Sequence, residues 1–238
     1  MKDITIHPWL VPAVVLSLGL AAGGAFIGKG VENARTGYRE VTVRGLAERV
    51  VTADLAVISL NVSSGSNSLQ EAQAKVDHDV AIVRRFLVAE GYPPAQISVG
   101  TMSVNDQYAQ EYQPQTVRTR YQVSQSVRVR TPDVERAQTT ARHLDTLVRQ
   151  GVALQAYGGP RYVFTKLNDV RGPMIGEATA SARNGAQQFA RDSKSRLGGI
   201  ISATQGSFEI NGRDEDEAEG AQVFKKVRVV TTVSYLLQ

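Results

Sequence analysis

The stretch "REVTVRG" alternates polar and apolar residues so that Val41 and Val43 fall on one side of a strand. "ADLAVISLNV" repeats the alternation and predicts a second strand with Ala56, Ile58, Leu60 and Val62 on one face. After the turn-forming "SSGSNS" the period changes. Leu69, Ala72, Val76, Val80, Val83 and Leu87 recur at spacings of three and four, which predicts an amphipathic helix over residues 68–90. Gly91 and the pair Pro93-Pro94 end it, and "AQISVGTMSV" reads as the next strand.

The same succession then recurs. "RYQVSQSVRVR" sets Tyr121, Val123, Val127 and Val129 against Gln122, Ser124, Ser126, Arg128 and Arg130, a strand with one apolar face. Thr131 is the expected N-cap and Pro132 the expected first helical residue. Val134, Ala137, Ala141, Leu144 and Val148 form the buried stripe of that helix, and Gly151 closes it. "VALQAYGGPRYVFT" supplies strand segments interrupted by Gly158, Gly159 and Pro160. Strand, helix, glycine and strand have thus occurred twice, which predicts two βαβ-like modules. A third helix is expected from about Asn168 to Arg196, its inner face carrying Val170, Met174, Ala178, Ala182, Gly185 and Phe189. Two closing strands, "GGIISATQGSFEI" and "AQVFKKVRVVTTVSYLL", are joined by "NGRDEDEAEG". Helices mixed with mostly antiparallel strands make the expected class α+β.

Ahead of this domain, residues 9–28 run without a charge and are rich in Val, Leu and Ala. A helix of about 20 such residues is about 30 Å long and matches a bilayer core, with Trp9 at headgroup level and Lys29 able to snorkel. The overlapping "GGAFIGKG" nearly fits a phosphate-binding loop, but Gly30 stands where a hydroxyl is required and no strand precedes it. A transmembrane anchor is therefore expected, and Gly19, Gly23 and Gly24 are its candidate close-packing residues. Ala22, Gly24 and Ala25 offer small residues to a signal peptidase, yet the apolar run exceeds a typical signal core, so retention is expected. Lys2 on one side against Lys29, Arg35, Arg39 and Arg44 on the other leans toward a cytoplasmic domain, though large domains translocate largely regardless of such charge. The organisation read from the sequence is a flank at 1–8, the anchor at 9–28, a tether at 29–39 and one domain over 40–238.

Composition changes the picture mainly by exclusion. The 27 basic and 23 acidic residues are spread along the chain without a basic block, so neither nucleic acid nor, given the imperfect loop, a nucleotide is an expected partner. With no cysteine, disulfides, thiolate metal sites and cysteine nucleophiles are excluded. His7, His78 and His143 are far apart, and His78 beside Asp77 and Asp79 on a helix cannot converge with them on one ion, so a solvated helix face is expected there. "DEDE", Asp214 to Glu217, lacks the spaced ligands of a calcium loop and reads as a solvated hairpin tip. No nucleophile elbow or paired-carboxylate motif stands out, so the expected catalytic, cofactor and metal residues are none.

The segment "NDQYAQEYQPQTVRTR", residues 105–120, is longer than an ordinary connection. Its Tyr108, Tyr112, Arg118 and Arg120 suit a protein-contact hairpin; a mobile loop and a ligand lid are the other two readings.

Four stretches resemble the SIMPL-domain family, the bacterial group that includes periplasmic immunogenic and oxidative-stress-defence proteins. They are "VTVRGLAERVVTADLAVISLNV", "EGYPPAQISVGTMSVNDQY", "ATASARNGAQQFARDSKSRLGGIISATQG" and "VRVVTTVSYLL", in order from Val41 to Leu237. The third resembles the family's alanine-rich helix through Ala180, Ala182, Arg183 and Ala186, followed by the pair Leu197 and Gly198. Ser181 and Gly185 depart from that pattern, where the family often has Asp and Lys. The resemblance implies an α+β domain of two related βαβ-like subdomains with a long alanine-rich helix, export to the periplasm, no cofactor, and in some members ring-like or channel-like homo-oligomers. Two classes of function remain open on this reading: a membrane-tethered protein that assembles with itself, and an enzyme or small-ligand binder with an unrecognised site.

Overall fold

The computed structural model describes residues 10–35, 39–109, 118–155, 157–214 and 216–238. In chain order the elements are α1 (Leu10–Arg35), β1 (Glu40–Thr52), β2 (Leu55–Ser66), α2 (Leu69–Ala89), β3 (Ile97–Val99), β4 (Ser103–Asp106), β5 (Tyr121–Thr131), α3 (Val134–Arg142), α4 (Asp145–Arg149), β6 (Leu154–Gln155), β7 (Arg161–Val163), α5 (Leu167–Asp192), β8 (Leu197–Gln205), β9 (Glu209–Gly212) and β10 (Phe224–Leu237). The class is α+β with antiparallel sheets, as expected. Two compact units emerge. One draws on the chain up to Gly45, Ala182–Thr204 and Thr232–Gln238, the other on Leu46–Ser181 and Gln205–Thr231.

The larger unit contains a six-stranded sheet in the order β3-β5-β2-β6, with β4 also on β5 and β7 also on β2. β2 and β5 pair antiparallel from Ala56↔Thr131 to Ser66↔Tyr121. Because β3 is antiparallel to β5, it runs parallel to β2 with β5 inserted between them; β6 stands in the same relation to β5 across β2. The two βαβ-like modules are therefore split and interleaved in one sheet rather than built as two subdomains. Ala56, Ile58, Leu60 and Val62 of β2 and Val123, Val127 and Val129 of β5 are fully buried. They pack with Ala72, Val76, Val83 and Leu87 of α2 in one cluster, so the two periodicities read from the sequence meet on the same core.

Helix ends follow their chemistry. The Ser68 hydroxyl accepts from the Glu71 N–H at 3.4 Å at the start of α2. At its end Gly91, at φ +90°, lets its own N–H reach the Val88 carbonyl at 3.0 Å and the Tyr92 N–H reach the Leu87 carbonyl at 3.1 Å. Gly151, at φ +81°, closes α4 the same way. Two expectations need correction beside it. Thr131 is the last residue of β5, and the N-cap is Asp133, whose carboxylate accepts from the Arg136 N–H at 2.9 Å. The single helix is broken after Arg142, where the His143 N–H bonds to Thr140 and the Thr146 N–H to His143, both at 3.0 Å. These i to i+3 bonds tighten the chain and rotate α4. Thr140 and Leu147 are thereby fully buried, while Val148, placed on the stripe by simple periodicity, is 60% exposed.

A second sheet has the order β1-β10-β8, with β9 beside β10. The buried row of α5 is Met174, Ala178, Ala182, Ala186 and Ala190, at strict spacings of four. In the smaller unit Ala182 and Ala186 pack with Val43, Val233 and Tyr235. In the larger one Met174 and Ala178 pack with Ala47, Val227 and Val229. The expected row drifted through Gly185 to Phe189; Phe189 is instead 60% exposed, because contact follows the i, i+4 ridge. The helix stops at Asp192, not Arg196. Lys194 takes φ +54° so that the Ser195 N–H returns to Ala190 at 2.8 Å, a cap normally signalled by glycine. Gly206 separates β8 from β9 and is itself fixed by a close approach, since a Cβ there would lie 2.9 Å from the Val230 carbonyl oxygen.

Within α1 the side chains are described from Ser17 to Lys29, a stretch shorter than the roughly 20 residues a span requires. Among the described residues no helix is long and apolar enough to cross a membrane. "GGAFIGKG" lies inside α1, so the phosphate-loop geometry of strand, loop and helix is not formed there. Residues 1–9, with Trp9, and residues 36–38 of the expected tether lie outside the described residues.

Candidate functional site

The 105–120 segment leaves the sheet through β4 and returns into β5, paired from Ser103↔Ser124 to Asp106↔Tyr121. Arg120 clamps its base. Its Nη2 donates to Asp106 Oδ2 at 3.0 Å and its Nε to the same oxygen at 3.2 Å, while its backbone N–H donates to Asn67 Oδ1 at 3.0 Å. The guanidinium lies 4.9 Å from the Tyr121 ring centre and 6.0 Å from that of Tyr108. The Tyr108 N–H caps the same carboxylate at 3.0 Å. Arg120, with help from that amide, holds the Asp106 carboxyl below the usual carboxylate range. Arg120 thus spends its charge fixing the stem, whereas Arg118 is exposed and Tyr108 is 52% exposed. Tyr112 lies outside the described residues, in 110–117.

The expected helix-packing glycines stand on an open surface. A Cβ at Gly19, Gly23 or Gly24 would meet nothing within 4 Å. Around them Leu18, Leu20, Phe26 and Ile27 are 65–79% exposed.

Four buried polar groups escaped the sequence reading. Asp79, expected on a solvated face, is fully buried and paired with Lys75, whose Nζ also donates to the Gly151 carbonyl at 3.1 Å; His78 and Asp77 are exposed as expected. Helical periodicity alone places Asp79 beside the buried Val76, Val80 and Val83, and that is the signal that could have found it. Lys225 is buried on β10 and meets Glu219 Oε1 at 2.6 Å. Tyr92 shares a hydrogen bond of 2.9 Å with Thr140, and burial pushes its phenol pKa up. Tyr157 is also pushed up by burial, and its hydroxyl is buried without a partner.

A histidine and a carboxylate do come together, Glu90 Oε1 and His143 Nδ1 at 3.1 Å. The fully buried Thr140 hydroxyl donates to the same Glu90 carboxylate at 3.5 Å. Among the described residues no group of three acidic or histidine side chains could hold a metal ion. Asp214, Asp216 and Glu217 are exposed, as a solvated tip requires. The backbone there is pinned by the buried Gln222, which accepts from the Asp214 N–H and donates to the Glu217 carbonyl, both at 2.9 Å.

No curated protein matches the chain. Among solved structures it is similar to a crystal structure of an uncharacterized conserved protein from Listeria innocua, at 12% identity over 76% of this chain and 90% of that one. The TM-score of 0.16 is too low for a shared fold to be read from it. The SIMPL family, described as "Protein of unknown function (DUF541)", matches residues 41–235. That span takes in both sheets, α2 and α5, and the Leu197-Gly198 pair, where a Cβ on Gly198 would sit 3.0 Å from the Leu236 carbonyl oxygen. The chain belongs to the SIMPL family.

Proposed function

We propose that this SIMPL protein is held in the bacterial inner membrane by residues 9–28, with residues 40–238 in the periplasm, and that it assembles into a closed ring-like or cage-like homo-oligomer. Its role on this reading is structural, connected to stress defence, without catalytic activity, cofactor, nucleotide or nucleic acid. The observation that carries the proposal is α1: an apolar helix whose described side chains are all exposed, with glycines open to a neighbour. Lipid and the same helix of other copies are the surroundings that suit it. The clamped hairpin supports the assembly, because Arg120 stiffens a stem that carries Tyr108 outward, and ordering cost is then met before contact. Head-to-tail contact that closes gives one discrete particle.

Two measurements test it. Intact-mass analysis of protein extracted from the membrane fraction should recover residues 1–28. A mature N-terminus near Ala25 or Phe26, with the protein free in the periplasmic fraction, overturns the anchor. Deleting residues 107–118 should reduce particle size without loss of the far-UV circular dichroism of the fold; an unaltered particle removes the hairpin from the contact.

A further inference from the structure

The six-stranded sheet has a second face, away from the hydrophobic core, and cations converge on it. Arg130 of β5 and Arg161 of β7 are both directly opposite Val57 of β2, one on each side. Directly opposite residues of antiparallel strands share a face, and with strands about 4.8 Å apart the two backbones are roughly 10 Å apart across β2. Two residues along, on the same face, Arg128 is opposite Ser59 and its Nε donates to the Ser59 hydroxyl at 3.4 Å. With Gly159, whose φ of +90° belongs to the bend before β7, these residues line a pocket of about 420 Å³. Val57 is only 6% exposed although it takes no part in the core cluster, which fits a floor covered by the arginine stems.

Among the described residues, six arginines outside this face are neutralised. Arg49, Arg120, Arg136, Arg149, Arg213 and Arg228 each meet a carboxylate. Arg128, Arg130 and Arg161 meet none among the described residues, although like charges side by side on a sheet face are destabilising. A planar guanidinium offers paired donors to a tetrahedral oxyanion, and three of them lining one pocket suit a doubly charged one. The volume exceeds what a bare phosphate needs and falls in the range of small-molecule sites. We infer that the pocket of Val57, Ser59, Arg128, Arg130, Gly159 and Arg161 binds a phosphate monoester, the three guanidinia holding the phosphate and the remaining space accepting the esterified group. This site is independent of the assembly, and its failure leaves the assembly proposal standing.

The test titrates the full chain in mild detergent with inorganic phosphate and with glycerol phosphate by calorimetry, at ionic strength held constant with sodium chloride. Saturable 1:1 binding is expected. Arg130→Gln and Arg161→Gln should each weaken it at least tenfold and the double variant abolish it, with thermal melting of the variants no lower than that of the wild type in the absence of phosphate. Vesicles containing phosphatidate separate the sources: a lipid headgroup is the ligand if these bind at least tenfold more tightly than glycerol phosphate, and a soluble ester if they do not. Absence of saturable binding to all three probes overturns the inference, as does undiminished binding in the double variant. A change in particle mass in Arg130→Gln with phosphate binding intact makes the face a protein contact and overturns it equally.

Discussion

α2 and α5 both cover sheets, but they do so with different side chains. α2 buries Val76, Val80, Ile82, Val83 and Leu87 in a cluster of twenty buried residues, whereas α5 presents a row that is alanine after Met174 and meets two small clusters of five. Large interlocking side chains resist truncation because a deletion leaves a cavity. A row of alanines works by closeness, and what it resists is enlargement. The two helices should therefore fail in opposite directions under substitution.

The largest effect is expected from Leu87→Ala, which empties a fully buried site in α2 and should cost about 3 kcal/mol in urea denaturation. Ala182→Leu reverses the logic in α5, where added volume should cost about 2 kcal/mol, while Phe189→Ala on the exposed side should stay within about 0.5 kcal/mol. An Ala182→Leu cost as small as that of Phe189→Ala would show that α5 does not resist enlargement and would erase its contrast with α2. Asp54→Asn probes the approach to α5. Burial pushes the Asp54 carboxyl up, but the Thr165 hydroxyl at 2.7 Å and N–H at 2.6 Å outweigh it and hold the pKa below its ordinary value. A depressed folded pKa gives stability that is present above the unfolded carboxylate pKa of about 3.9 and is lost as pH falls through the folded value. The cost of the substitution should thus be about 1.5 kcal/mol near pH 7 and shrink as pH falls below the ordinary carboxylate range. A pH-independent cost would assign the effect to packing instead. Among the substitutions at buried contacts the smallest effect is Tyr92→Phe, which loses the hydroxyl contact with Thr140 and should cost about 1 kcal/mol.

Sequence periodicity captured α2 well because its face is wide and apolar, and both glycine caps at Gly91 and Gly151 came with it. It misplaced Phe189 because an alanine row carries little contrast with its surroundings, and a one-step error in the ridge then costs nothing visible in the pattern. It ran α5 past Asp192 because the left-handed cap is a lysine, Lys194. It merged α3 with α4 because the break rests on backbone hydrogen bonds at His143 rather than on glycine or proline. The arginine-lined pocket was illegible for a different reason. Arg128 and Arg130 were readable as the polar side of β5, but Arg161 reaches them only because β7 joins the far edge of β2. The hairpin stood out through length and composition, and the clamp at its base was hidden because Asp106 and Arg120 are 14 residues apart in sequence.

The central proposal is that the domain, folded on these cores, assembles through the 105–120 hairpin. Native mass spectrometry of the full chain in mild detergent, beside the Tyr108→Ala and Tyr112→Ala double variant, tests it most directly. The wild type should give one large species at a fixed multiple of 25.8 kDa, and the variant smaller species with an unchanged urea midpoint. A strictly monomeric wild type at micromolar concentration would contradict the account.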